Sequence, residues 1–89
     1  MASLAVAKAG TMALHLRMLA AIELLAAAQA VDLRGLPHGA LGSGTRHGHA
    51  AIRARVPMRD VDRPQGPDIE TVCAMVAAGE LPIVDLLAQ

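Results

Sequence analysis

Apolar residues crowd the first third of the chain and thin out after it. From Leu19 to Arg34 the sequence reads Leu-Ala-Ala-Ile-Glu-Leu-Leu-Ala-Ala-Ala-Gln-Ala-Val-Asp-Leu-Arg, with Glu23 and Gln29 as the polar side chains between Leu19 and Val31. Ala, Leu, Glu and Gln are strong helix formers, and no Gly or Pro interrupts them. The pattern extends backwards, so Ser3 to Leu33 is predicted as one helix of about 30 residues, near 45 Å long at about 1.5 Å per residue. Ser3 is the candidate cap, and Gly10 is a weak point worth about 1 kcal/mol against Ala. Leu14, Met18, Ile22 and Leu25 form one apolar row at helical spacing. Other apolar side chains point around the whole cylinder, so the helix expects packing partners on several sides. Arg34 supplies a basic last turn, Gly35 a C-terminal cap, and Pro37 a stop just beyond.

The remainder reads as short helices on a polar loop framework. Gly35 to Gly44 is glycine-rich and is predicted as a loop. Ser43 or Thr45 is the expected cap of a second helix over about Thr45 to Val56. Its rows place His49, Ile52 and Val56 on one side, with Arg46 and Arg53 on others. Gly48 weakens this helix and Pro57 ends it. Met58 to Gly66 is mixed in charge and extended. Pro67 suits the first position of a third helix, with Asp68 and Glu70 favouring its positive end. Ile69, Val72, Cys73 and Val76 share a face there, Gly79 closes the helix, and Pro82 opens a last short turn through Leu87. No strand pattern and no internal repeat is present. The expected fold is all-α, one long apolar helix plus two or three short helices. It forms a single segment over residues 1–89, divided into a long core helix (1–34) and a loop with short helices (35–89).

Composition makes a self-sufficient core doubtful. The chain has 89 residues and no Phe, Trp or Tyr. Aromatic residues bury about 150–250 Å² each, and the alanines that dominate here bury far less. A core would rest on scattered Leu, Ile, Val and Met, in a chain already small for independent stability. Eight basic and eight acidic residues cancel, which argues against nucleic acid or an acidic membrane surface as partner. The single Cys73 excludes an internal disulfide and fits a reducing cytosol. Lys8, His15, Arg17 and Glu23 interrupt the apolar run where a membrane span or a signal-peptide core would be unbroken, so the chain reads as soluble.

Few residues offer chemistry. His38, His47 and His49 invite a metal, but His47 and His49 fall on different sides of a helix and no fourth ligand stands nearby. They read as exposed histidines, and no metal ligand is assigned. Gly42-Ser43-Gly44 imitates a dinucleotide fingerprint, but no strand precedes it and the third glycine is misplaced. Cys73 lies on an apolar helical row with no basic residue within a turn, which points to a shielded, inert thiol. Glu23, if buried, needs an arginine or a helix end as partner. Arg17 is not at a pairing offset, so that partner would come from elsewhere. Asp60, Asp62, Arg63 and Asp68 read as a polar loop of exposed ion pairs, each worth about 0–1 kcal/mol.

One pattern covers nearly the whole chain. Ala21-Ile22-Glu23-Leu24-Leu25-Ala26-Ala27-Ala28-Gln29-Ala30 is followed by Asp32-Leu33-Arg34, then Leu41-Gly42-Ser43-Gly44-Thr45-Arg46. Ile52-Arg53, Val56-Pro57, Asp62-Arg63-Pro64, Pro67-Asp68-Ile69-Glu70 and Gly79-Glu80-Leu81 come after in order. This succession resembles the C-terminal region of the histidine and aromatic amino acid ammonia-lyases, most of all the histidine branch. In that family the long helix belongs to a central helical bundle shared in a tetramer, and the rest caps the bundle's outside. The resemblance therefore implies a homo-oligomer, or a partner supplying the missing N-terminal portion, in the cytoplasm.

The resemblance also implies where the chemistry is not. The family electrophile is a methylidene-imidazolone group formed from an internal Ala-Ser-Gly, and this chain has no such tripeptide. The family's catalytic tyrosines, asparagine, glutamine, arginine and late glutamate all lie upstream of the matching region. No catalytic and no cofactor-binding residue is carried over. The expected function is that of a C-terminal fragment or subunit. The complete enzyme would convert L-histidine to urocanate and ammonia, and this chain by itself would be inactive. Two alternatives stay open: a non-enzymatic helical self-association module, and half of a split enzyme. On any of these readings the long helix is expected to be an association surface, so that the chain self-associates, binds its missing N-terminal portion or stays partly disordered, and aspartate at Ile22 and Leu25 is expected to abolish assembly.

Overall fold

The computed structural model describes residues 2–81, the side chain of residue 38 excepted. Among them are three α-helices and no strand. These are α1 (Ala2–Arg34), α2 (Ser43–Arg53) and α3 (Gly66–Ala77), with one 3-10 turn at His38–Ala40 between the first two. The all-α expectation holds, with the long apolar helix at the N-terminus. The short turn expected over Pro82 to Leu87 lies outside the described residues.

Helix α1 has 33 residues, which at about 1.5 Å each is close to 50 Å and accounts for the molecule's 53 Å long dimension. It begins at Ala2, so Ser3 sits inside the first turn instead of capping it. At the other end Gly35 takes φ +65° and its N–H donates to the Asp32 carbonyl at 3.0 Å. The left-handed conformation is nearly free of cost only for glycine, which is why the helix stops there.

Helix α2 starts two residues earlier than Thr45. Gly42 is extended and accepts the first helical hydrogen bond, from the Arg46 N–H at 2.9 Å, and no side chain caps it. Neither Ser43 nor Thr45 is the cap; Ser43 is the first helical residue and its hydroxyl faces His47 Nδ1 at 3.4 Å. The Val56 N–H still reaches the Ile52 carbonyl at 2.8 Å, so turns continue past Arg53 until Pro57, which has no N–H to give. Helix α3 takes Pro67 in its first turn and ends as expected. The Gly79 N–H donates to Val76 and the Glu80 N–H to Met75, at 3.2 and 3.0 Å, with Gly79 at φ +69°. This pair of reversed bonds satisfies two of the carbonyls a helix end leaves open.

The core lies at the C-terminal half of α1. Ala21 and Ala28 of α1 are buried with Ile52 of α2, Val56 beyond it, and Val72 and Met75 of α3. Leu24, Leu25, Ile69, Cys73, Val76 and Leu81 pack around this cluster. The expected row of Leu14, Met18, Ile22 and Leu25 is therefore not the buried one. Leu14, Met18 and Ile22 keep 50%, 43% and 45% of their surface. The buried stripe runs Ala21, Leu24, Leu25, Ala28, because alanines present the least bulk and let α3 approach the helix backbone. The other half of α1 is bare: Leu4, Val6, Met12, Leu16 and Leu19 are all exposed.

The loop between α2 and α3 is tied down by polar contacts. Gln29 of α1 binds the main chain of Arg59 in both directions, Nε2 to the carbonyl at 3.0 Å and Oε1 from the N–H at 3.2 Å. Arg63 donates to the carbonyls of Pro57 and Met58 and to Asp68 Oδ2. These bonds serve main-chain groups that no helix or sheet provides for.

Candidate functional site

The densest polar cluster forms where α2 meets the end of α1. Asp32, in the last turn of α1, accepts from Arg53 Nε at 2.7 Å on one carboxylate oxygen. On the other it faces His49 Nε2 at 2.8 Å. His49 and Arg53 are four residues apart, so both reach the same side of α2. The His49 side chain is 7% exposed, Arg53 16% and Asp32 20%. Arg53 is further fixed by Nη1 donating to the Val56 carbonyl at 3.0 Å. Burial works to raise the Asp32 pKa. The hydrogen bonds from Arg53 and His49, with Arg53's charge, outweigh it and hold the carboxyl below its ordinary value.

The cluster corrects several sequence expectations. His49 is not an exposed histidine; it is buried and bonded to Asp32. Arg53 is not on another side from His49, since both reach one carboxylate. Glu23 is exposed and joins no ion pair among the described residues, so the carboxylate that needs an arginine is Asp32. Arg63 and Asp68 are not an exposed pair, with 26% and 17% of their side chains accessible at a 3.0 Å contact. Arg59 and Asp62 fit the exposed description better, Asp62 being fully open to solvent. Asp60 is exposed and joins no ion pair among the described residues. The missed cluster did have a signal in the sequence: a carboxylate ends the long apolar helix, and a His and an Arg at helical spacing follow within one loop.

The arrangement does not assemble nucleophilic chemistry. A Ser-His-Asp triad needs one imidazole between the hydroxyl and the carboxylate. Here Ser43 contacts His47, which is exposed, while Asp32 contacts His49. The two pairs use different histidines on different sides of α2, as the two-residue spacing anticipated. The side chain of His38 is outside those described. Among the described residues no group of three or more His, Cys, Asp or Glu is placed to hold a metal ion. Gly42-Ser43-Gly44 forms the cap and first turn of α2. Cys73 is half-buried. It lines a shallow hollow with Leu14, Arg17 and Met18 of α1, so a basic residue does come near it, from another helix. By length and composition, α1 is apolar enough to cross a membrane.

Known proteins place this chain. The histidine ammonia-lyase of Symbiobacterium thermophilum is 42% identical to it over 81 residues, 91% of the chain. That of Gloeobacter violaceus is 49% identical over 61 residues, and that of Aromatoleum aromaticum 43% over 79. The chain belongs to the histidine ammonia-lyase family. It spans 16%, 12% and 15% of the length of these three relatives. No family-wide sequence profile matches it, and no solved structure does. Within this histidine ammonia-lyase segment, the Asp32 cluster joins α2 to the long helix, the Gln29 contacts join the following loop to it, and the Arg63 contacts join that loop to α3.

Proposed function

We propose that the chain is the C-terminal part of a histidine ammonia-lyase, supplying helical framework and no catalytic group. The complete enzyme would remove ammonia from L-histidine to give urocanate, the opening step of histidine degradation, in the cytoplasm. Its electrophilic methylidene-imidazolone would form elsewhere in the enzyme, because this sequence has no Ala-Ser-Gly. The observation that carries the reading is the match itself, which takes in 91% of this chain and 16% of the relative. The bare half of α1 supports it. Leu16 and Leu19, at 64% and 57% exposure, belong to an apolar surface of the kind that marks an interface.

The test is reconstitution. The chain is co-produced with the Symbiobacterium thermophilum enzyme shortened by the region it matches, and urocanate formation is followed by its absorbance. Activity is expected from the pair and from neither part alone. Urocanate released by the isolated chain, or an inactive pair that copurifies, would overturn the proposal.

The exposed face of α1 also favours a second reading, a helical module that self-associates. Leu16→Asp and Leu19→Asp test it better than changes at Leu25, which packs against the core. Sedimentation of the wild-type chain as a concentration-independent monomer would exclude it.

A further inference from the structure

The exposed side of α1 carries one ordered row. Met12, Leu16, Leu19, Glu23, Ala26, Ala30 and Leu33 follow one another at alternate steps of four and three, and every one of them is exposed. At about 100° per residue, Ala30 stands half a turn round the helix from Ala21, which is fully buried in the core. The row therefore looks away from α2 and α3. Apolar residues repeating about every 3.5 positions are the pattern by which one helix packs along another. Among the described residues no helix takes that place, and the large members of the row stay open to solvent.

Glu23 is the exception in the row, a carboxylate with Leu19 one step before it and Ala26 one step after. In the chain as it stands, Glu23 faces water and needs no partner. A helix lying on Leu16, Leu19 and Leu33 at once has to cross Glu23 and remove that water. A buried carboxylate left unpaired is costly, and a helix passing over it offers no free main-chain N–H beyond its own first turn. The covering helix must then bring a basic side chain to that level. The rest of the lyase is its source, because this chain corresponds to 16% of the length of a relative that matches 91% of it. A second copy running parallel and in register would instead set one Glu23 against the other, with like charges in the seam.

We infer that this row seats an apolar helix from the remainder of the lyase, and that the incoming helix pairs a basic side chain with Glu23. The inference rests on the proposed function and adds the residue that decides which helix fits. Glu23 then contributes little to the isolated chain and much to the assembly.

The experiment measures association of the chain with the same shortened Symbiobacterium thermophilum enzyme by isothermal titration. Leu19→Asp tests whether the row is covered. Glu23→Leu makes the row wholly apolar, and Glu23→Gln keeps the shape without the charge. Glu70→Gln removes an exposed carboxylate on α3 and is the control. Leu19→Asp, Glu23→Leu and Glu23→Gln should each weaken association at least about 10-fold, since the last two strand a buried cation, and Glu70→Gln should stay within about 2-fold. The circular dichroism of all four isolated variants should match the wild type. If Glu23→Leu binds as well as the wild type or better while Leu19→Asp binds worse, the covering element carries no cation; the inference fails and the lyase reading stands. Wild-type affinity in Leu19→Asp would mean that the row is not covered, with the same consequence. A wild-type chain that pairs only with itself in sedimentation, or associates with nothing, would overturn both readings.

Discussion

Replacing Asp32 with Ala removes the acceptor that holds Arg53 Nε at 2.7 Å and faces His49 Nε2 at 2.8 Å. A hydrogen bond to a charged group contributes about 1.5–3 kcal/mol. Truncating one partner of a buried ion pair costs about 3–5 kcal/mol. The Asp32 side chain is 20% exposed, so water can partly re-solvate the stranded donors. These limits place the loss at about 3 kcal/mol, a large share of the stability of a small domain. Asp32→Asn keeps one acceptor and the shape, and should cost about half as much. Urea unfolding followed by helical circular dichroism, at fixed chain concentration, gives both values. Glu23→Ala is the control; Glu23 is exposed and unpaired among the described residues, and its loss should stay within about 0.5 kcal/mol. The coupling also has to show. In an Arg53→Ala background the cost of Asp32→Ala should fall by about 1 kcal/mol or more, since the two residues share one bond. If Asp32→Ala costs no more than Glu23→Ala, the cluster is not what holds α2 against α1.

The same carboxylate sets a pH dependence. Its pKa is lowered in the folded chain, so its stabilisation is present above the unfolded value of about 4 and is lost as pH falls through the lower folded value; Asp32→Asn should flatten that part of the profile. Two glycines should respond in opposite directions. Gly79→Ala forces a side chain to φ +69° and should cost about 1–2 kcal/mol. Gly10→Ala, in the middle of α1 with open space around it, should gain up to about 1 kcal/mol, read from the same urea midpoints. Cys73 is half-buried, so a thiol reagent should label it more slowly in the folded chain than in urea; equal rates would mean that α3 does not pack as described.

Local chemistry determined the elements. A long stretch rich in Ala and Leu with no internal proline favours a helix on propensity alone, and α1 is that stretch, Gly10 included. Gly35 and Gly79 end their helices because only glycine enters the left-handed region cheaply, a property of the residue itself. Pro57 and Pro67 bound a loop for the same local reason. The ammonia-lyase pattern was legible too, since it is a matter of residues in order. What needed the tertiary structure was the choice of face and of partner. Periodicity marks Leu14, Met18 and Ile22 as an apolar row, but on a helix apolar all round it does not choose a side. Close approach of α3 chose Ala21 and Ala28, because the least bulky stripe lets two backbones come nearest. The Asp32 cluster depends on α2 folding back against the end of α1, which brings together side chains 17 and 21 residues apart. Glu23 and Asp32 lie on one helix and carry the same group. Only the position of α2 decides that one meets water and the other an arginine.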